Sequence, residues 1–281
     1  DPKEWHDFIQ AFCRELVAIM GRDAAGRLRF RVGTENGRRE RFSGTHDEYV
    51  RHYDFTAAAV RSVLPEAKFG PYNISGASIR GVSVADNVRA LDLARHCSTQ
   101  PNAANGMHLT PFDWVAYSRY FRPGDNPEAH AQTCREVWET FEQNVPALKG
   151  VSREIHEFGV APWGEVAKRT FASAEPGALG AALTFQMMLR LREAGINRLW
   201  HWGVFLLDPC NDGGNQPRLM PTGQTWLLSV LEHMKGGEAF LLPAIDESAA
   251  GTKHLALAVK DEGGATVMIS AYNPKISDHT P

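Results

Sequence analysis

The stretch Leu28-Arg-Phe-Arg-Val-Gly-Thr-Glu35 is a short apolar strand-like run closed by a carboxylate. A second run, Val151-Ser-Arg-Glu-Ile-His-Glu157-Phe-Gly159, has the same form. Outward from these two, strand-like runs also begin near 67, 112 and 197, and each is followed by a segment of helical periodicity. Thr45-His-Asp-Glu48 is a capping box opening the helix that carries Tyr49, Tyr53, Ala57 and Val60 on one stripe, with Pro65 beyond its end. Asn126-Pro127 is an N-cap and first-turn proline ahead of Ala131, Cys134, Val137, Trp138 and Phe141. Further helices are expected over roughly 84–97, 178–194 and 225–234. Alternation of this kind means a parallel sheet with helices outside it.

The fold class expected is α/β, a partial (β/α)8 barrel, since a closed barrel needs eight strands and five are found. Ahead of the first strand, Trp5, Phe8, Ile9, Phe12, Leu16 and Val17 follow a helical period buried on one face, opened by Asp1 and Pro2. After about Pro243 the pattern changes to His254–Val259, a glycine-containing turn, and Thr266–Ala271, which is a hairpin signal. Residues 1–243 therefore read as barrel and 244–281 as the beginning of an all-β module. Both ends look cut from something longer.

Composition narrows the partners. The chain has 281 residues, 43% apolar and 22% charged, with a net charge of -3. That balance gives no electrostatic reason to expect nucleic acid or an anionic membrane. No apolar run approaches the roughly 20 residues that span a bilayer. Cys13, Cys97, Cys134 and Cys210 are far apart, form no C-x-x-C pair, and read as buried thiols rather than a zinc site. No H-x-H or H-E-x-x-H pattern supports a metal.

A carboxylate at the carboxyl end of a barrel strand sits where such folds keep their chemistry. Two of them facing each other are the machinery of glycosidic-bond cleavage. Glu35 and Glu157 both end strands of one parallel sheet, so both lie on its carboxyl edge. Other polar groups gather at the same strand ends: Asn73, and Tyr117, Ser118 and Tyr120, where a tyrosine hydroxyl would serve the nucleophilic carboxylate. Trp200 and Trp202 share a face, and an indole there suits the apolar face of a sugar, with core packing the alternative for Trp200. Glu154 shares a face with His156 and points away from Glu157, which makes it a helix-facing partner. His108 and His201 read as structural.

With those residues in view, the chain from Trp5 to about Ala271 resembles clan A glycoside hydrolases, and within them family 39, the β-xylosidases and α-L-iduronidases. Phe30-Arg-Val-Gly-Thr-Glu35-Asn36 is similar to the family's fourth strand, which implies that Glu35 is the general acid/base. Glu154-Ile-His-Glu157-Phe-Gly159 is similar to the seventh strand, implying Glu157 as nucleophile. Phe112–Tyr120 resembles the sixth and Leu199-Trp-His-Trp202 the eighth, whose terminal tryptophan floors the sugar subsite. The resemblance implies Thr34, Asn36, Asn73, Ser118, Tyr120 and Trp202 as substrate-binding residues, a carbohydrate as partner and no cofactor. Two positions depart from the pattern: Thr34 stands where the family has asparagine, and Ser118 where it has histidine. A sugar-binding barrel without turnover is the second reading these departures allow, and an unrelated (β/α) lyase or metal-dependent hydrolase the third.

Overall fold

The computed structural model describes residues 1–75, 88–107, 109–122, 124–160, 178–201, 207–210, 218–246 and 252–272. The chain divides into two compact units. One holds 1–119, 134–157 and 196–200, and the other holds 120–133, 158–195 and 201–281.

In the first unit, helix α1 (Pro2–Met20) packs against α2 (Arg22–Gly26) and α3 (His46–Val63). The Asp1 side chain accepts from Lys3 N at 2.7 Å, the N-cap the sequence announces. The expected buried stripe of α1 is only half realised. Trp5 Nε1 donates to Thr56 Oγ1 of α3 at 2.8 Å, and Cys13 is buried. Phe8 and Phe12, by contrast, are 61% and 48% exposed. The capping box of α3 is complete, with Glu48 N donating to Thr45 Oγ1 and Thr45 N to Glu48 Oε2.

The sheet follows chain order. Strand β1 (Arg29–Arg31) pairs in parallel with β2 (Lys68–Gly70), Phe30 opposite Phe69. Beyond β2, Ile74 bridges in parallel to Tyr117 of β3 (Trp114–Phe121). Strand β3 neighbours β4 (Ser152–Val160), which neighbours β5 (Arg198–His201). Two α-helices also reach this unit: α4 (Ala90–Thr99), which starts later than the sequence expectation, and α5 (Pro127–Asn144). Gly70 has a spatial reason to be glycine: a Cβ there would fall 2.3 Å from the Trp114 indole.

The sheet is curved. Arg29 of β1 pairs with Glu154 of β4, and Arg31 Nη1 lies 3.2 Å from His156 Nδ1, although two strands separate β1 from β4. Side chains meet across that interval only on a concave face. The opposite face carries the helices, as Tyr53 against Phe69 and Tyr117 against Trp138 of α5 show, at centroid distances of 5.1 Å in both pairs.

Asp54 fastens three segments behind this face. It is fully buried and accepts from His96 Nε2 at 3.0 and 3.1 Å, Thr110 Oγ1 at 2.9 Å and Ala103 N at 2.8 Å. Truncation strands all of those donors. Asp54→Ala is expected to lower the unfolding free energy of this unit by about 3 kcal/mol, read by denaturant titration of tryptophan fluorescence.

The second unit contains α6 (Ala178–Glu193), α7 (Gly223–His233) and an antiparallel sheet of order β10-β9-β8. Its strands are β8 (Glu238–Asp246), β9 (Lys253–Asp261) and β10 (Gly264–Tyr272), so the hairpin signal is realised and β8 runs across position 243. Strands β6 (Leu207–Cys210) and β7 (Arg218–Pro221) form a separate antiparallel pair. Gln186 of α6 donates to Ser270 O of β10 at 3.3 Å, and Gln224 of α7 to Thr184 Oγ1 of α6 at 2.9 Å.

Candidate active site

Four successive strands of the first unit bring polar side chains together at their carboxyl ends. Thr34, beyond β1, places its hydroxyl 2.8 Å from Glu157 Oε1 of β4. The same hydroxyl lies 2.9 Å from Asn73 Oδ1, beyond β2. Asn73 Nδ2 donates to Glu157 Oε1 at 3.1 Å and to Ser118 Oγ of β3 at 2.6 Å. Asn73 and Ser118 are fully buried. The amide orientation is fixed by these partners, because a flipped Asn73 would turn its oxygen toward a carboxylate.

Glu35 belongs to the same neighbourhood through its backbone. Its N–H donates to Asn73 O at 3.1 Å, and it follows Thr34 directly in sequence. The turn is built by Gly33 (φ 76), whose Cβ would fall 2.2 Å from Asn36 Nδ2. Asn36 folds back so that its Oδ1 accepts from Thr34 N at 3.0 Å. The observed part of the Asn36 side chain is therefore a turn former. Glu35 itself has φ 49, in the left-handed region that non-glycine residues rarely occupy. Backbone strain of this kind costs about 1–3 kcal/mol and clusters at functional sites. The Glu35 side chain is 11% exposed and Oε2 lies 3.6 Å from Arg38 Nη1, a guanidinium that also holds Glu40 at 2.6 Å.

On the concave face, one layer nearer the amino ends, lies a network that the sequence reading placed elsewhere. Glu154 does share a face with His156, but that face is concave: Glu154 is fully buried against Arg29, and Arg198 Nε lies 3.9 Å away. The helix-facing expectation for Glu154 is thus corrected. His156 Nε2 lies 2.8 Å from Glu154 Oε2, and its Nδ1 faces Arg31. A guanidinium only donates, so Nδ1 accepts and the ring proton sits on Nε2. Arg29 also stacks over Trp114, 4.4 Å from the ring centroid. Arginines at alternate positions of one run, with a glutamate and histidine at alternate positions of another, were the available sequence signal.

Burial lowers the His156 pKa below its ordinary 6.5, with the hydrogen bond to Glu154 opposing. Burial pushes Glu154 up, but hydrogen bonds from His156 and Ser152 and the Arg29 charge more than offset it, leaving it below 4.5. For both groups the unfolded chain binds the proton more readily, so both make stability fall with acid. The His156 share is lost as pH drops from 6.5 toward its lowered value, and the Glu154 share follows below 4.5. His156→Gln should therefore flatten the decline in melting temperature that begins at pH 6.5. His46 and His52, also lowered by burial, contribute equally in both proteins. Parallel profiles for the two proteins would contradict this account.

Other expected site residues fare differently. Tyr117 faces α5, is 1% exposed, and its hydroxyl has no hydrogen-bond partner among the described residues. It does not serve Glu157. Tyr120 falls in the second unit, and Trp202 and His108 lie outside the described residues. Trp200 is 43% exposed, edge-on to His156 with centroids 6.5 Å apart, rather than packed in the core. Cys13, Cys97 and Cys134 are buried free thiols, as expected. Among the described residues no group of three or more His, Cys, Asp or Glu could hold a metal, and no helix is long and apolar enough to cross a membrane.

The described fold is mixed α/β, with parallel strands and with carboxylates at the strand ends. No family model matches the chain. Among solved structures, a GH39 (family 39) β-xylosidase from Caulobacter crescentus matches with a TM-score of 0.64 at 17% identity, over 95% of this chain and 53% of its own. The bacterial orthologue of human α-L-iduronidase matches with a TM-score of 0.66 at 13% identity, over 91% and 47%. The GH39 enzyme of Xanthomonas axonopodis pv. citri gives 0.61 at 16% identity, over 92% and 51%. By sequence, the chain is 22% identical over 207 residues to an α-1,4-L-rhamnosidase of Formosa agariphila, covering 72% of this chain and 39% of that protein. The chain thus resembles family 39 in fold, and spans about half the length of these solved structures.

Proposed function

We propose that the first unit carries the catalytic end of a partial (β/α)8 barrel, and that the protein is a retaining glycoside hydrolase using Glu157 and Glu35. Glu157 attacks the anomeric carbon while Glu35 protonates the departing oxygen. Glu35 then takes a proton from water as the glycosyl ester on Glu157 is cleaved. No cofactor enters either step. Around the pair, Thr34, Asn73 and Ser118 form the polar wall. The strands from β8 onward begin an all-β accessory module.

One observation carries this reading. The Glu157 carboxylate is bonded to Thr34, the neighbour of Glu35, and to Asn73, whose carbonyl holds the Glu35 N–H. Two acids from strands that are not neighbours are therefore anchored to the same two residues. In the fold that the chain shares with β-xylosidases and iduronidase-like enzymes, a carbohydrate is the substrate class this anchoring suits.

The test is hydrolysis of a panel of aryl glycosides by the full-length protein, with β-xyloside, α-L-rhamnoside, β-glucoside and α-L-iduronide included. Proton NMR of the first-formed sugar should show the anomeric configuration of the substrate. First-formed product of inverted configuration would contradict double displacement. Tight sugar binding with no product from any of them would favour the binding-only barrel.

A further inference from the structure

We propose that Thr34 is a positioning residue for Glu157, its hydroxyl acting as a one-proton rotor between the Glu157 carboxylate and the Asn73 amide oxygen. The inference deepens the double-displacement reading and rests on it.

The geometry poses a counting problem. Thr34 Oγ1 lies 2.8 Å from Glu157 Oε1 and 2.9 Å from Asn73 Oδ1, and both partners are acceptors. A hydroxyl has a single proton, so it serves one of them at a time. Both protons of the Asn73 amide have partners of their own, in Ser118 Oγ and Glu157 Oε1. Asn73 is fully buried and cannot turn to relieve the competition. The torsion of the Thr34 hydroxyl can respond instead, and it costs little to rotate.

The charge on Glu157 decides which way it points. When Glu157 is an anion, the charge-assisted hydrogen bond is the stronger one, and the proton faces Glu157. When Glu157 is an ester, its negative charge is gone and the proton turns to Asn73 Oδ1, which is then satisfied. Because carboxylate charge is shared over two oxygens, a bond to Oε1 stabilises the anion whichever oxygen carries the sugar. An asparagine at this position would present an amide whose donors cannot swing between acceptors by a single-bond hydroxyl rotation.

The consequence is confined to one half-reaction. In deglycosylation, water's oxygen bonds to the anomeric carbon and its proton goes to Glu35. The bond from that carbon to Glu157 breaks with its electron pair going to the carboxylate. Negative charge appears on Glu157 in that transition state, and the Thr34 proton returns to meet it. In glycosylation the charge is present at the start and declines, so losing the Thr34 bond costs that step little.

The experiment uses the full-length protein and a 2,4-dinitrophenyl glycoside of whichever sugar it cleaves, so that deglycosylation limits turnover. Thr34→Val should lower kcat by about tenfold to a hundredfold and lower KM with it, leaving kcat/KM within about threefold. A burst of dinitrophenolate and a covalent adduct in the intact mass spectrum should accompany the change. Thr34→Ser should restore parental values, and Thr34→Ala, which avoids any crowding by the added methyl group, should repeat the Val result. Unchanged kcat in both the Val and Ala variants would overturn the rotor. A rise in KM at constant kcat would also overturn it, since that marks a residue that binds substrate. The underlying reading fails separately: if Glu157→Gln turns over at the parental rate, Glu157 is not the nucleophile, whatever Thr34 does.

Discussion

Replacement of Glu157 by glutamine is expected to cut kcat on aryl glycosides by about four to six orders of magnitude, as removal of a covalent nucleophile does elsewhere. Glutamine preserves shape and can accept from Thr34 or Asn73 through its amide oxygen, so the fold should survive. What it removes is the anion that attacks the anomeric carbon. The effect should be independent of the leaving group, because no substrate can reach the ester without the nucleophile. Measurement of kcat across aryl glycosides of differing acidity, with melting temperature as control, decides it. Loss of less than about tenfold would point to a spectator carboxylate, since even a single general acid is worth more.

Glu35→Ala should behave differently, and the difference is diagnostic. General acid–base catalysis contributes about a hundredfold to ten-thousandfold, so poor leaving groups should lose that much. Dinitrophenolate departs without a proton, so glycosylation with it should be almost unaffected, while deglycosylation stays slow for want of a base. Added azide needs no deprotonation and should restore turnover by capturing the glycosyl ester. A uniform loss across leaving groups, with no azide effect, would remove Glu35 from the acid/base role. Its left-handed backbone is then a turn feature only.

How far the sequence could be read depended on which part of a strand was in question. Periodicity and caps found α1, α3, α5, the five sheet runs and the β9–β10 hairpin, because those signals are local. The concave network was misread for a reason intrinsic to strands. A period of two separates Glu154 and His156 from Ile155, but it does not say which face is concave. Only contacts across β2 and β3, made by Arg29 and Arg31, show that. By the same rule Tyr117 and Ser118 must face opposite ways, so once Ser118 bonds Asn73, Tyr117 belongs to α5.

The rim escapes that rule. Strict alternation puts Thr34 on the face of Val32, away from Arg31. Gly33, with its positive φ, resets the direction and sends Thr34 toward Glu157. Glycine in that run was legible, but its torsion was not. The left-handed Glu35 is likewise invisible to composition or spacing. In the sequence, Thr34 is a departure from the asparagine of family 39. In the structure it is in hydrogen-bond contact with Glu157, which turns a departure from a pattern into a property of this site.

The most direct measurement is covalent trapping. A 2-deoxy-2-fluoro glycoside with a dinitrophenyl leaving group, built on the sugar that the full-length protein cleaves, forms the ester but releases it slowly, because fluorine at C2 opposes the oxocarbenium character of the transition state. Trypsin would release Glu154–Lys168, and fragmentation of that peptide should place the fluorosugar on Glu157. A label on Glu154, on Glu165 or on a peptide elsewhere in the chain would contradict the assignment.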